Sequence, residues 1–366
     1  MKIQISQRQL SLLTANLTIA SGLVVLPQSL IDLALQNTWT VIFLLFLYVV
    51  FLISIALFGV GKLNDFALKP KQKKTKLLAF LMVIFIFHII IRDLRILTGF
   101  IEVTLLPLTP LFIITVLIIG TSLYIAWAGL EVIARFNELA FSLFILVVLF
   151  IPLSLLEKFD LENFEPVLGL QVIPSLFQSS YVGLAWMGEV IIVFLILGAA
   201  KSIKETRKSM LWGAGIGIGL LFILIFCQIA VLGAEIVRYS TYPSYTLVQE
   251  IRLTEFMDRL DFILVALYFP ITFSKLAFLL YGLNFSMNLL FNSDNKVTLI
   301  PQAIAIGILS ILLFENKTIV YEFQIHTWAS LGLFLQLLIA AVMFFIIGSQ
   351  KQSKKKNKND QARTLN

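Results

Sequence analysis

Three places in this chain put ionisable side chains inside long apolar runs. The first is Arg92-Asp93 with Arg95, and Glu102 follows seven residues after Arg95; the others are Glu189 and Lys275. Ionisable groups at membrane depth are costly, so each is a functional candidate by default. Arg95 and Glu102, at i and i+7, lie on one helix face. Arg92, Asp93, Arg95 and Glu102 read either as a structural charge cluster tying this helix to its neighbours or as a group with a gating or coupling role. Glu189 suits a ligand amine, a proton or a helix-tying hydrogen bond. Lys275 needs a carboxylate or helix-end carbonyls, or it must deprotonate. It is read as structural pairing or as a fixed cation where other transporters bind a coupling sodium ion.

Glycines interrupt two of the apolar runs. One interruption is Ala20-Ser21-Gly22-Leu23-Val24-Val25-Leu26-Pro27 and the other is Gly183-Leu184-Ala185-Trp186-Met187-Gly188-Glu189. They fall in the first and sixth apolar segments, which are corresponding members of two five-helix halves. Paired interruptions of this kind point to a midplane substrate site in a transporter-like fold. A broken helix exposes backbone groups that lipid cannot satisfy, so it persists only where it lines a cavity or is buried in protein.

The elements that must carry these residues are membrane helices. Of 366 residues, 59% are hydrophobic and 13% charged, against roughly 25% charged in soluble domains. Candidate spans cover residues 10–31, 39–60, 77–106, 111–127, 132–156, 172–200, 211–233, 262–290, 298–314 and 327–348. Each is near the ~20 residues that cross hydrocarbon. The first span is expected to be a retained helix, because no small-residue cleavage site follows Lys2 and Arg8.

The net charge of +7 sits in loops between spans (Lys69 to Lys76, Lys201 to Lys208) and in the tail after Lys351. This is the positive-inside pattern; it places both termini in the cytoplasm and explains the charge without nucleic acid. A single domain is expected over 1–350, in halves of about 1–156 and 166–350. The basic tail 351–366 is expected to be disordered at the membrane face, where it can touch anionic lipid. A single cysteine, Cys227, excludes an internal disulfide and a multi-cysteine metal site. No metal, cofactor or enzymatic chemistry is expected, and there is no phosphate-loop signature for ATP-driven transport.

Other features have plainer readings. Gly213, Gly215, Gly217 and Gly219 are small-residue spacing for close helix contact. His88 and His326 read as packing or interface residues, and Glu131, Arg135 and Glu138 as a cytoplasmic surface or short interfacial helix. The aromatic, polar stretch 239–251 predicts a short helix starting near Ser244, a good N-cap, which is either a headgroup-level loop or a lid above a ligand pocket.

Several patterns in order resemble one family, the B subunit of the nutrient germinant receptors of bacterial endospores, within the amino acid–polyamine–organocation transporter superfamily. They are Ile5-Ser6-Gln7-Arg8-Gln9, Gly22 to Leu26-Pro27, Trp39, Arg95 to Glu102, Pro166-Val167-Leu168-Gly169, Gly188-Glu189, and Tyr242-Pro243-Ser244 to Arg259-Leu260-Asp261. The resemblance spans nearly the whole chain. It implies an all-α fold of about ten transmembrane helices, a 5+5 inverted repeat like that of the leucine transporter with helices 1 and 6 broken. It also implies residence in the spore inner membrane, A and C partner subunits, and a small nutrient ligand, commonly an amino acid.

On this reading an α-carboxylate sits at the half-helix start around Ser21, Gly22 and Leu23, where the helix dipole favours an anion. The ammonium faces Gly183, Met187, Gly188 or Glu189, and Ile101, Ser274 and Ala277 wall the side chain. Arg95, Glu102 and Lys275 gate or couple. Two competing readings are a proton-coupled amino-acid symporter using Glu189 or Lys275, and a conduit or structural subunit without nutrient selection.

Overall fold

Ser6 starts the first helix by reciprocal capping. Its hydroxyl accepts from the Gln9 amide at 3.1 Å, while the Gln9 side chain accepts from the Ser6 amide at 2.9 Å. The structure, a computed structural model, describes residues 4–20, 22–63, 65–251 and 261–364. The capped helix α1 (Gln7–Ile19) stops at the predicted interruption, and α2 (Gly22–Ala34) resumes beyond it. Pro27 lies inside α2 and has no N–H, so the Leu23 carbonyl lacks its helical donor. The Ser244 hydroxyl donates to that carbonyl at 2.5 Å. A Leu-Pro pair in the first span thus creates the acceptor on which a distant segment docks.

The remaining passages follow the predicted order. They are α3 (Thr38–Ala56), α4 (Lys73–Thr104), α5 (Leu111–Ala128), α6 (Leu130–Ser154), α7 (Ile173–Met187), α8 (Thr206–Tyr239), α10 (Asp261–Phe291) and α11 (Leu299–Leu312). A short helix, α9 (Pro243–Gln249), lies between α8 and α10, and the last passage comprises α12 (Lys317–Glu322), a π-helical turn (Phe323–Trp328) and α13 (Ala329–Thr364). With α1 and α2 counted together, these make ten helical passages. Seven stretches among the described residues are individually long and apolar enough to cross a membrane. There is no strand among them, only an isolated parallel bridge between Ile5 and Ala200. The chain is a multi-pass membrane protein.

The sixth passage breaks at its expected place in an unexpected form. At Gly188, α7 gives way to a 3₁₀ helix, Gly188–Ala199, of 12 residues. Runs this long are uncommon, and mid-helix 3₁₀ geometry often marks a hinge.

Close packing follows the small residues. A Cβ on Gly213 would collide with the Ser11 carbonyl, and one on Gly217 with the Thr18 hydroxyl and the Ala15 carbonyl, so these glycines let α8 lie against α1. Large apolar side chains such as Phe43, Leu47, Leu146 and Phe334 face outward, while polar groups are gathered inside. Asn16 donates to Asn137 Oδ1 at 2.6 Å and to the Ile271 carbonyl at 2.9 Å, and Ser274 donates to the same Asn137 oxygen. That network joins α1, α6 and α10.

The two ends of the bundle are latched. At one, Ile5 exchanges main-chain hydrogen bonds with Ala199 and Lys201, and Arg8 pairs with Glu138 at 3.2 Å. At the other, Asp32 of α2 pairs with Arg238 at 2.7 Å and accepts from the Tyr321 hydroxyl at 2.8 Å.

One expectation needs correction. Glu131, Arg135 and Glu138 lie within α6 itself, and Glu138 anchors the N-terminus. The last helix, α13, extends to Thr364, and Lys, Gln and Arg are good helix formers.

Candidate functional site

Consecutive residues of α4 supply half of a buried ionic ring. Arg92 donates to Asp93 Oδ1 through Nε (3.1 Å) and Nη2 (2.7 Å), and Nη2 also reaches Glu189 Oε1 at 2.5 Å. Lys275 Nζ lies 2.5 Å from Glu189 Oε2 and 3.0 Å from Asp93 Oδ2. Every carboxylate oxygen in the ring therefore faces a cation, and two positive charges balance two negative ones. All four side chains are buried. The guanidinium carbon sits 3.9 Å from the centre of a Trp186 ring and 5.4 Å from that of Trp328, cation–π distances. The ring joins α4, the 3₁₀ segment and α10. Lys275 thus meets its need for a carboxylate twice over. The arrangement is a charge-neutral lock whose disruption strands an uncompensated buried charge.

The glycine interruptions are packed. A Cβ on Gly188 would overlap the Gln336 amide of α13. Gln336 donates to the Ala185 carbonyl at 2.6 Å and accepts from the Tyr48 hydroxyl at 2.8 Å, so it bridges α3, α7 and α13 at the break. A Cβ on Gly183 would press on Leu45 and Leu30, and one on Gly22 on Leu26. Leu23, Ile101, Met187 and Ala277 are buried, and Ser274 is engaged with Asn137. Ser21 lies outside the described residues. Side chains from neighbouring helices pack against these described members of the predicted ligand set.

The opening lies toward the Asp32 end. A cavity of about 370 Å³ is walled by Val25 and Gln28 of α2 and by Arg95, Ile96 and Gly99 of α4. Thr241 and Tyr242, ahead of α9, and Thr318, Val320 and Tyr321 of α12 complete it. Arg95 reaches off its own helix, and Glu102 acts on it only from beyond salt-bridge distance. Its Nε donates to the Phe314 carbonyl at 2.6 Å and its Nη2 to the Glu315 carbonyl at 3.1 Å.

The predicted lid is α9. It begins at Pro243, and the Ser244 hydroxyl, expected as the cap, bonds to Leu23 and accepts from Gln228. Phe100 of α4 meets Tyr242, Tyr245 and Tyr268 edge-on at 5.0, 5.8 and 5.8 Å between ring centres. Burial raises the Tyr242 phenol above its ordinary range, with Arg95 opposing, so it is an uncharged hydroxyl at neutral pH. His88 packs against Trp328 and Phe323, as expected of a packing residue, and His326 lies in the π-helical turn.

A family model described as spore germination protein (Spore_permease) matches residues 4–319. The chain belongs to the spore germination permease family. YfkT of Bacillus subtilis (strain 168) is 28% identical over 349 residues, 91% of this chain and 93% of its own. Spore germination protein KB of the same organism is 26% identical over 390 aligned positions, covering 99% of each chain. Two solved transporters share the fold. One is a Na+-coupled sialic acid symporter in a substrate-bound, outward-open state (TM-score 0.60, 15% identity, 96% of this chain and 90% of that one). The other is Mhp1, a nucleobase-cation-symport-1 transporter in a closed conformation with bromovinylhydantoin bound (TM-score 0.55, 14% identity, 94% and 78%). This permease therefore has the leucine-transporter-like architecture its broken first and sixth passages foretold.

Several residues of the site escaped sequence reasoning. Gln336 had a legible signal, since it is a lone amide in the apolar run Leu335-Gln336-Leu337. Asp32, near the end of the first span, had a weaker one. Gly99, Tyr321 and the two indoles beside Arg92 had none, because their partners come from distant passages.

Proposed function

We propose that this permease is the nutrient-sensing membrane subunit of a spore germinant receptor. A small nutrient, an amino acid in the first instance, enters the cavity between α2, α4, α9 and α12 and acts on the broken passages beneath it. The observation that carries the proposal is the placement of this cavity on α4 one turn from the ionic ring. Arg95 lines the cavity and Arg92 closes the ring, so a ligand that moves α4 acts on Glu189 and Lys275 together.

Ser21, Gly22, Leu23, Ile101, Gly183, Met187, Gly188, Glu189, Ser274 and Ala277 then form the midplane layer that repacks when the nutrient binds. Arg95, Glu102 and Lys275 couple that repacking to the bundle. Germinant receptor A and C subunits read the change, in the spore inner membrane with both termini cytoplasmic and the basic tail near anionic lipid. No chemical step on the nutrient is involved, so this is a receptor and not an enzyme.

Filling the cavity tests the proposal. Val25→Trp and Ile96→Trp are expected to abolish the loss of spore optical density on adding amino acids, with the protein still present in the membrane at its normal level. A normal response in both would contradict it. A second reading, a proton-coupled amino-acid symporter, is favoured by the buried Glu189–Lys275 contact, which could carry a coupled proton.

A further inference from the structure

We infer that Arg95 is the recognition residue of the cavity and that the ligand it takes is a small carboxylate. This rests on reading the cavity as a ligand site, and it goes further by naming the decisive group on the ligand. Among the described residues, ten line the cavity, and Arg95 is the charged one. No carboxylate among the described residues lies within salt-bridge distance of it.

Its neighbour one turn earlier shows the contrast. Arg92 is neutralised by Asp93 and Glu189, whereas Arg95 has two main-chain carbonyls, those of Phe314 and Glu315. Carbonyl dipoles satisfy N–H groups without neutralising the charge. Glu102 acts on Arg95 only from beyond salt-bridge distance, so this nearly buried cation is only partly compensated, and an arriving anion relieves the remaining cost.

The geometry also prepares a contact. The carbonyls fix Nε and Nη2, which leaves Nη1 on the side of Gly99. A Cβ on Gly99 would lie 3.0 Å from Nη1 and 3.8 Å from the Tyr242 hydroxyl, so the missing side chain opens the floor between the cation and the phenol. The other polar wall groups are engaged away from that floor. Gln28 donates to the Arg238 carbonyl and Tyr321 to Asp32. Guanidinium–carboxylate hydrogen bonds are about twice as strong as neutral ones, which suits Arg95 as the anchor. Among the described residues no anionic side chain lines the cavity to receive an ammonium, so the acid group decides binding and the amine is dispensable.

The test uses the full-length protein purified in detergent and reads the shift of its thermal unfolding midpoint. The probes are four pools: the common L-amino acids, their carboxamides, the corresponding 2-hydroxy acids, and a set of nucleosides and sugars. The amino-acid and hydroxy-acid pools are expected to raise the midpoint and the carboxamides to leave it unchanged. Arg95→Gln is expected to need at least about tenfold more amino acid for the same shift, with Arg95→Lys in between. Gly99→Leu blocks the floor while keeping the Arg95 charge, so it covers the case in which Arg95→Gln does not fold; it too should lose the shift.

Equal stabilisation by carboxamides, stabilisation by the nucleoside and sugar pool alone, or a wild-type response in the variants would overturn the assignment to Arg95 and leave the cavity as a ligand site. No shift with any pool would overturn the ligand site itself.

Discussion

At the scale of single residues, the ionic ring makes predictions of definite sign. Glu189→Gln leaves Lys275 and Arg92 sharing Asp93 alone, and Lys275→Met leaves a buried carboxylate excess. Each is expected to cost about 3–5 kcal/mol, read as a lower thermal midpoint or loss of folded protein. The double variant Glu189→Gln/Lys275→Met removes one charge of each sign and should recover part of that loss. Additive losses in the double variant would show that the two side chains do not act as a pair. Ser244→Ala makes a smaller, local prediction. It leaves the Leu23 carbonyl, already deprived of its helical donor by Pro27, without its hydroxyl, at about 1–3 kcal/mol. The loss should show as faster hydrogen exchange in 243–249; unchanged exchange there would mean that the lid is held by other contacts.

At the scale of elements, the glycines separate into those that touch a neighbour and those that do not. Gly217→Val should destabilise the α1–α8 contact by about 1–3 kcal/mol, whereas Gly219→Ala, with nothing within 4 Å, should be neutral or slightly stabilising. A thermal midpoint for each distinguishes them, and equal effects would contradict the packing described. Gly188→Ala should displace Gln336, and the second change Gln336→Ala should restore part of the lost stability.

The passages themselves were legible because length and hydropathy fix a membrane helix and glycine pairs mark its breaks: 111–127 became Leu111–Ala128, and 262–290 became Asp261–Phe291. The site was legible only in part. Arg92, Arg95, Glu189 and Lys275 announce themselves as charges in apolar runs, yet which charges meet is set by the rotation of each helix. In all-apolar spans the sequence carries no periodic signal for that rotation. Spacing could place Arg95 and Glu102 on one helix face, but it could not name the acceptors of Arg95, the Phe314 and Glu315 carbonyls, which come from the far end of the chain. The same indeterminacy hid Gln336, which packs at Gly188.

At the scale of the molecule, two latches hold the bundle, the N-terminal strand-like contact of Ile5 at one end and the Asp32–Arg238–Tyr321 cluster at the other. The ring of Arg92, Asp93, Glu189 and Lys275 lies buried within the bundle. A nutrient can shift this balance only by binding one arrangement better than the other. Weakening a latch changes the balance without a ligand: Asp32→Asn should alter nutrient sensitivity while keeping every residue that lines the cavity.

The central claim is that the transporter architecture here serves reception. The most direct test reconstitutes the purified protein in liposomes. It measures saturable binding of labelled amino acids alongside their uptake under an imposed proton gradient. Saturable binding with no gradient-driven accumulation is the result predicted for a receptor. Accumulation that collapses when the proton gradient is removed would contradict it and make this permease a transporter in its own right.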